Sequence, residues 1–286
     1  IVHEWTDPQL VERIGRERRN GGRFTLIFHD THHRAVSSRE DIAGLDLSDY
    51  DAVLAFGEAL RERYLKAGWG SNVFTWHEAP DTTLFKPMRE VEKPGDLIWI
   101  GNWGDDERSQ EIAEFLVRPS KDLGLRTTVR GVRYPEAALS ALKDAGIRYE
   151  GWIANAEAPA VFARHKVTVH IPRRPYVESL PGIPTIRVVE AVAWGITLIS
   201  APWDDAEQLF RPGLDFHSVR NGEEMKQCLR RVLEDPQLAR ELATSGLERI
   251  RARHTCRHRV DELFAVLAKC GTHQVTHELP TPEAAE

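Results

Sequence analysis

The sequence is short of cysteine, of excess positive charge and of long apolar runs, and each shortage excludes a class of protein. Three widely spaced cysteines offer neither a disulfide framework nor a paired Cys-x-x-Cys zinc motif, so we expect a reducing, cytoplasmic location and no metal site. A net charge of −6 at pH 7 leaves no basic excess to neutralise phosphates, which argues against a nucleic-acid partner. No apolar stretch approaches the length of a transmembrane segment.

Common catalytic fingerprints are missing as well. The chain contains no Gly-x-Gly-x-x-Gly, Walker or Gly-x-Ser-x-Gly motif, so dehydrogenases, P-loop enzymes and serine hydrolases lack support. What is present is a chain of 286 residues, 41% of them hydrophobic, which is enough for two globular domains of ordinary size.

Short apolar strands alternate with amphipathic helices along the chain, which predicts a doubly wound α/β fold with parallel sheets. A charged linker, Met88–Gly95, divides this pattern. We therefore expect an N-terminal domain over residues 1–90, a C-terminal domain over 91–270, and a polar, disordered tail over 271–286. About half a domain of ordinary size precedes the linker, so the N-terminal domain is expected to be incomplete.

The segment Leu180–Ala201 is the most informative part of the sequence. It predicts a loop, a helix that Thr185 can cap, a stop at Gly195 and a buried strand. Glu190 lies in the middle of this largely apolar helix. Because an unpaired buried carboxylate is costly, its partner is either Arg187, one turn earlier, or the hydroxyl groups of a ligand.

The Glu-Ala-Val-Ala-Trp-Gly string at residues 190–195 resembles the donor-binding signature of group 1 glycosyltransferases, which have the GT-B fold of two Rossmann-like domains. The resemblance implies that the helix start faces the diphosphate of a nucleotide sugar, with Thr185 and Arg187 beside it, and that Glu190 accepts the ribose hydroxyls. This fits the affinity of helix starts for anions. The Ile-Pro-Thr-Ile-Arg lead into the helix is most similar to the spore-maturation-protein-type branch.

One departure from this family concerns a second glutamate, found eight residues before the first and in contact with the donor sugar. That position is Gly182 here, and the nearest loop carboxylate is Glu178. A second string, Asp81–Pro87, is similar to the connector between the two GT-B domains and supports the boundary placed after it.

Two loops at predicted strand ends are candidates for ligand contacts, since ligands bind there in open α/β sheets. His29 and Asp30 resemble the His-Asp loop of the N-terminal GT-B domain, where a histidine can relay a proton. The alternative is that Asp30 is a cap and the histidines are exposed. Gly101, Asn102 and Trp103 resemble the first loop of the C-terminal domain. The alternative there is a tight turn, and the adjacent Asp105-Asp106 pair does not predict a metal site.

Two further loops carry candidates for binding the nucleotide. Trp152 and Ile153, at the end of the expected strand Tyr149–Ile153, lie where the family holds the nucleobase, and Trp152 could equally be a core side chain. Arg173 and Arg174 precede the phosphate-facing helix and suit a diphosphate leaving group. The alternative is a surface turn.

The resemblance implies transfer of a sugar from a UDP-, GDP-, ADP- or TDP-linked donor to an acceptor hydroxyl, with retention of configuration and without metal or cofactor. A nucleotide-sugar epimerase or hydrolase of the same fold is one alternative. A non-catalytic module that binds a nucleotide sugar is another. The acceptor and the oligomeric state are left open.

Overall fold

The computed structural model describes residues 1–88 and 91–270, and it places two parallel sheets in succession along the chain. In the first sheet the strands follow their sequence order. Its strands are β1 (Val2–His3), β2 (Ile27–Asp30), β3 (Ala52–Ala55) and β4 (Val73–Thr75), and its helices are α1 (Pro8–Arg19), α2 (Arg34–Ser37), α3 (Arg39–Ala43) and α4 (Glu58–Ala67).

The second sheet has six strands in the order β10-β9-β8-β5-β6-β7, all parallel. The strand order reverses at β5, which opens a crevice at the carboxyl ends of β5 and β8. The strands are β5 (Gly95–Ile100), β6 (Thr127–Arg130), β7 (Arg148–Tyr149), β8 (His165–His170), β9 (Thr197–Ser200) and β10 (His217–Ser218).

Helices cover both faces of this sheet and bury its apolar strands in two core clusters. They begin with α5 (Ser109–Ile112), which continues through a π turn (Ala113–Val117) into α6 (Arg118–Asp122). The others are α7 (Glu136–Asp144), α8 (Ala158–Ala163), α9 (Arg174–Glu178), α10 (Ile186–Trp194), α11 (Gly222–Glu234), α12 (Pro236–Arg253) and α13 (Cys256–Lys269), with 3₁₀ turns at Asp105–Glu107 and Asn155–Glu157.

The last helix crosses back to the first sheet. Val266 of α13 packs against Ile27 and Leu54, and the indole N–H of Trp76 donates to the Arg259 carbonyl at 2.8 Å. Helix α13 lies within the range expected for the second domain but is part of the covering of the first sheet. The domain boundaries themselves stay a prediction, and the expected tail over 271–286 lies outside the described residues.

A half-buried carboxylate also joins the two halves of the chain. Glu207 accepts the Glu58 backbone N–H at 2.8 Å and lies 2.7 Å from the His77 imidazole Nε2. Gly57 allows Ile183 and Glu207 to approach closely, because a Cβ there would lie 2.3 Å from Ile183 and 3.0 Å from Glu207 Oε1. The α/β fold expected from the sequence is confirmed, and its two sheets are held together by side chains.

Three further findings bear on expectations from composition. Cys228, Cys256 and Cys270 are all free thiols. In the described part of the chain, no helix combines the length and the apolarity needed to cross a membrane. Among those same residues, no group of three or more histidine, cysteine, aspartate or glutamate side chains could hold a metal ion.

Two helical glycines provide a test of this packing. A Cβ at Gly246 of α12 would lie 2.7 Å from Val192 of α10 and 2.8 Å from the Asp215 carbonyl, whereas at Gly15 of α1 its nearest neighbour would be 3.4 Å away. We expect Gly246→Ala to lower the free energy of unfolding by about 1–3 kcal/mol through overpacking.

The matched control, Gly15→Ala, should be neutral or stabilising by up to about 1 kcal/mol, because alanine favours the helix. Urea denaturation of both variants measures this difference. Equal stabilities would contradict the close approach of α12 to α10.

Candidate functional site

A cleft of about 420 Å³ lies between the carboxyl edges of the two sheets. The first half of the chain contributes Thr31, His32, Phe56 and Glu78. The second half contributes loops after β5, β6, β7 and β8 and the start of α10. Those residues include Gly101, Asn102, Arg108, Gly131, Trp152, Ile153, His170, Arg173, Tyr176, Thr185, Ile186 and Arg187.

The start of α10 faces this cleft with part of its hydrogen-bonding capacity unused. Thr185 stands at the N-cap position with extended backbone, but its hydroxyl makes no capping hydrogen bond. The expectation that Thr185 caps the helix through its side chain is therefore wrong. The Val188 amide in the first turn already donates to the Thr185 carbonyl at 2.9 Å, so the Ile186 and Arg187 amides before it are the ones available to an anion in the cleft. At the other end, Gly195 stops the helix with φ of 82°, as predicted.

Glu190 is 3% exposed and is not among the residues that line the cleft. It accepts hydrogen bonds from Arg187 Nη1 at 2.6 Å and from Asn155 Nδ2 at 3.0 Å. Arg187 Nη1 also donates to Asn155 Oδ1 at 2.6 Å. Burial raises the pKa of Glu190, and Arg187 and Asn155 oppose that shift. Of the two partners that the sequence allows, Arg187 is present, and Arg187 itself reaches the cleft.

The loop after β5 is pressed against the loop after β6. A Cβ at Gly131 would lie 2.0 Å from the Gly101 carbonyl, and φ at Gly131 is +148°, so glycine is required there. Asn102 Oδ1 accepts the Val132 N–H at 3.1 Å. Gly101 and Asn102 line the cleft, but Trp103 does not, because it packs against Tyr134 with ring centroids 5.6 Å apart.

The two residues expected to hold a nucleobase take different positions. Strand β7 ends at Tyr149, so the expected strand Tyr149–Ile153 is shorter and both residues lie in a loop. Trp152 is 69% exposed at the mouth of the cleft, which excludes the core alternative for this side chain in the structure. Ile153 is 8% exposed and belongs to the core while still lining the cleft.

Arg173 and Arg174 point in different directions. Arg173 lines the cleft, and its Nη1 lies 2.5 Å from Glu107 Oε2. Arg174 is the first residue of α9 and pairs with Glu111 at 2.8 Å, outside the residues that line the cleft. The structure therefore brings only the first arginine to the site.

His29 and Asp30 are not at the cleft surface. His29 lies within β2 between His3 and Trp76, with ring centroids 5.5 and 4.9 Å away. Burial lowers its pKa to about 4, so the imidazole is neutral at pH 7. Asp30 is fully buried and accepts the Tyr64 hydroxyl at 2.8 Å, and burial raises its pKa to about 7.

The neighbouring residues Thr31 and His32 take the positions expected of His29 and Asp30. Burial lowers the pKa of His32 to about 3. Glu178, the carboxylate nearest to Gly182 in sequence, is the last residue of α9 and not a loop residue, and it is exposed and outside the cleft lining.

Glu78 and His170 are among the titratable cleft residues that sequence reasoning missed. Glu78 follows β4 by three residues, and burial together with the nearby Glu190 raises its pKa to about 8. His170 ends β8, is 6% exposed and hydrogen-bonds to the Ser200 hydroxyl at 2.9 Å. Both stand at or just past the carboxyl end of a strand, so the positional rule that selected the other loops would have found them.

Comparison with known proteins identifies the family. A family profile described as Glycosyl transferase-like matches residues 108–265, more than half of the chain. The chain therefore belongs to this glycosyl transferase family. No curated protein matches it in sequence.

Solved structures define the fold as GT-B. Sucrose-phosphate synthase from Thermosynechococcus elongatus is similar with a TM-score of 0.64 and 15% identity, over 90% of this chain and 70% of that one. HepE of Anabaena, solved with UDP and glucose, has a TM-score of 0.65 and 13% identity, over 91% and 81%. A glycosyltransferase from Rickettsia africae has a TM-score of 0.65 and 11% identity, over 93% and 82%.

The buried Asp30 predicts a dependence of stability on pH. Its pKa is about 7 in the folded chain against an ordinary 3.8, so between pH 4 and 7 the folded state holds a proton that the unfolded state releases. Its contribution therefore lowers the free energy of unfolding as pH rises through this window. In Asp30→Asn, the free energy of unfolding should fall less steeply with pH. The difference in slope should be at most about 1.4 kcal/mol per pH unit, which is the most that one titrating group can contribute.

Urea denaturation between pH 4.5 and 7.5 measures this slope. Asp46→Asn is the control, because hydrogen bonds from Ser48 lower the Asp46 pKa and place its titration below this range. An unchanged slope in Asp30→Asn would show that Asp30 is ionised in the folded chain at pH 4.5.

Proposed function

We propose that this chain is a glycosyltransferase that binds a nucleoside-diphosphate sugar in the cleft and transfers the sugar to an acceptor hydroxyl. The observation that carries the proposal is the start of α10, whose uncapped first turn faces the cleft. Such a helix start attracts a diphosphate through its amides and its dipole. Retention of configuration and independence of metal ions are part of the proposal.

Arginine side chains around the helix start support a diphosphate ligand. Arg108, Arg173 and Arg187 all line the cleft. Arg173 is held by Glu107 and Arg187 by Glu190, so their orientations are fixed before a ligand arrives. Guanidinium groups bind phosphate oxygens through directed hydrogen bonds. Arg173 would stabilise the charge that develops on the departing diphosphate.

The nucleoside would lie on the side of Trp152 and Glu190. The exposed indole of Trp152 offers a face on which a base can stack. Glu190 would accept two ribose hydroxyls in place of the hydrogen bond from Asn155. UDP is the first candidate among UDP, GDP, ADP and TDP, because HepE of Anabaena has been solved with UDP-glucose.

The acceptor would enter beside the first half of the chain. Thr31 and His32 face the cleft from that side, and His32 is a neutral imidazole at pH 7 because burial lowers its pKa to about 3. A neutral imidazole can accept a hydrogen bond from an acceptor hydroxyl. His29 does not line the cleft, so it would act on this site only through neighbouring residues.

One observation favours a nucleotide-sugar hydrolase or epimerase as the second candidate. Such an enzyme needs more carboxylates in the cleft than the sequence suggested, and Glu78 is one more. Incubation of the chain with UDP-glucose in the absence of an acceptor separates the two. Release of glucose or formation of an epimer at the rate of transfer would favour the second candidate.

Glu190→Ala tests the ribose contact. We expect the binding free energies of both uridine and UDP to weaken by about 2–3 kcal/mol, the scale of a hydrogen-bonded pair to a charged group. Calorimetric titration measures this, with the exposed Glu178→Ala as control. A variant that binds normally but is less stable would make Glu190 only the ion-pair partner of Arg187.

Arg173→Ala and Arg174→Ala form a matched pair for the leaving-group role. We expect Arg173→Ala to reduce kcat for sugar transfer by about 10²-fold, with little effect on uridine binding, because charge develops at the diphosphate during bond cleavage. Arg174→Ala should change kcat by less than about threefold, as expected of a surface ion pair. Equal losses in the two variants would contradict the assignment of Arg173 to the cleft.

A further inference from the structure

Glu78 lines the cleft, and none of the described side chains forms an ion pair with its carboxyl group. It is half-buried and comes from the segment that follows β4, so it belongs to the first half of the chain. Within residues 1–88 and 91–270, no side chain donates a hydrogen bond to it and no cation forms an ion pair with it. By contrast, three other carboxylates that are not exposed, Glu107, Glu190 and Glu207, each have a cationic or imidazole partner.

The groups that face Glu78 favour its uncharged form. Burial and the negative charges of Glu190 and Glu4 raise its pKa, and the Ile186 backbone amide and Arg187 only partly offset this. Tyr176 of α9 also faces it. The remaining charged or titratable side chains that line the same cleft are His32, Arg108, His170 and Arg173. With a pKa of about 8, Glu78 is mostly protonated at pH 7.

Glu78 lies beside the first backbone amide of α10. Ile186 is the first residue of α10, and its amide is close enough to Glu78 to stabilise the carboxylate. An anionic ligand at this helix start must therefore meet the Glu78 carboxyl group. A carboxylate would repel it, whereas a protonated carboxyl group would donate a hydrogen bond to it.

We propose that Glu78, from the first half of the chain, helps to bind the nucleotide sugar. Its protonated carboxyl group donates a hydrogen bond to the diphosphate held at the start of α10. This inference rests on the proposed function. It adds that binding of a nucleoside diphosphate is coupled to the protonation of one residue. Because the bound anion favours the proton on Glu78, the complex keeps that proton at a pH where the free chain has lost it.

Calorimetric titration with UDP at pH 7, 8 and 9 tests the coupling. In the wild-type chain, the dissociation constant should rise about tenfold between pH 7 and 9, as the protonated fraction of a group with pKa near 8 falls. In Glu78→Gln it should stay nearly constant, since the amide also donates a hydrogen bond but does not titrate. Glu178→Gln, at an exposed position, should behave as wild type, and uridine should show no such dependence in any of the three.

A Glu78→Gln variant with the wild-type pH dependence, or a wild-type chain with none, would overturn the inference while leaving the proposed function intact. Failure of UDP to bind at any pH would overturn both. If Glu78→Gln does not fold, the pH dependence of UDP binding by the wild-type chain tests the coupling on its own. Titrations at pH 8 in buffers of different ionisation enthalpy should show uptake of about half a proton per UDP, and zero uptake would refute the coupling.

Discussion

The amides at the start of α10 are the constraint on which the site depends. The first turn of a helix has donors that the helix itself cannot satisfy, and here the N-cap hydroxyl of Thr185 does not satisfy them either. Strands β8 and β9 hold this helix start at the carboxyl edge of the second sheet, opposite the first sheet. Under our proposal, an anion bound there would therefore meet residues from both halves of the chain.

The surroundings of this helix start are organised before any ligand binds. Arg173 and Arg187 are each fixed by a carboxylate, and Glu207 and α13 join the two halves. Fixed dipoles and charges lose little freedom when a ligand arrives, which is the main advantage of a pre-organised site. Glu78 is the exception, because no described side chain pairs with it, and under our proposal the bound ligand would set its protonation.

Local patterns predicted much of the fold and part of the site. The alternation of strands and helices, the stop of α10 at Gly195 and the Glu190–Arg187 pair depend on short-range spacing, and the structure has all of them. Whether an individual side chain faces the cleft depends on where its strand ends. Because β2 runs to Asp30, His29 is still paired with Leu54 inside the sheet and the cleft is reached by later residues.

The remaining differences between the predicted and the observed site also depend on packing that sequence spacing does not record. Arg173 and Arg174 are adjacent and pair with Glu107 and Glu111, but only Arg173 lines the cleft, and no sequence spacing records which of the two does so. Glu78 belongs to no motif, and its importance comes from α10, more than a hundred residues later.

The most direct test of the account is hydrogen exchange at the Ile186 and Arg187 amides with UDP and with uridine. Slower exchange with UDP but not with uridine is the predicted result. Unchanged exchange at saturating UDP would contradict a diphosphate site at the start of α10.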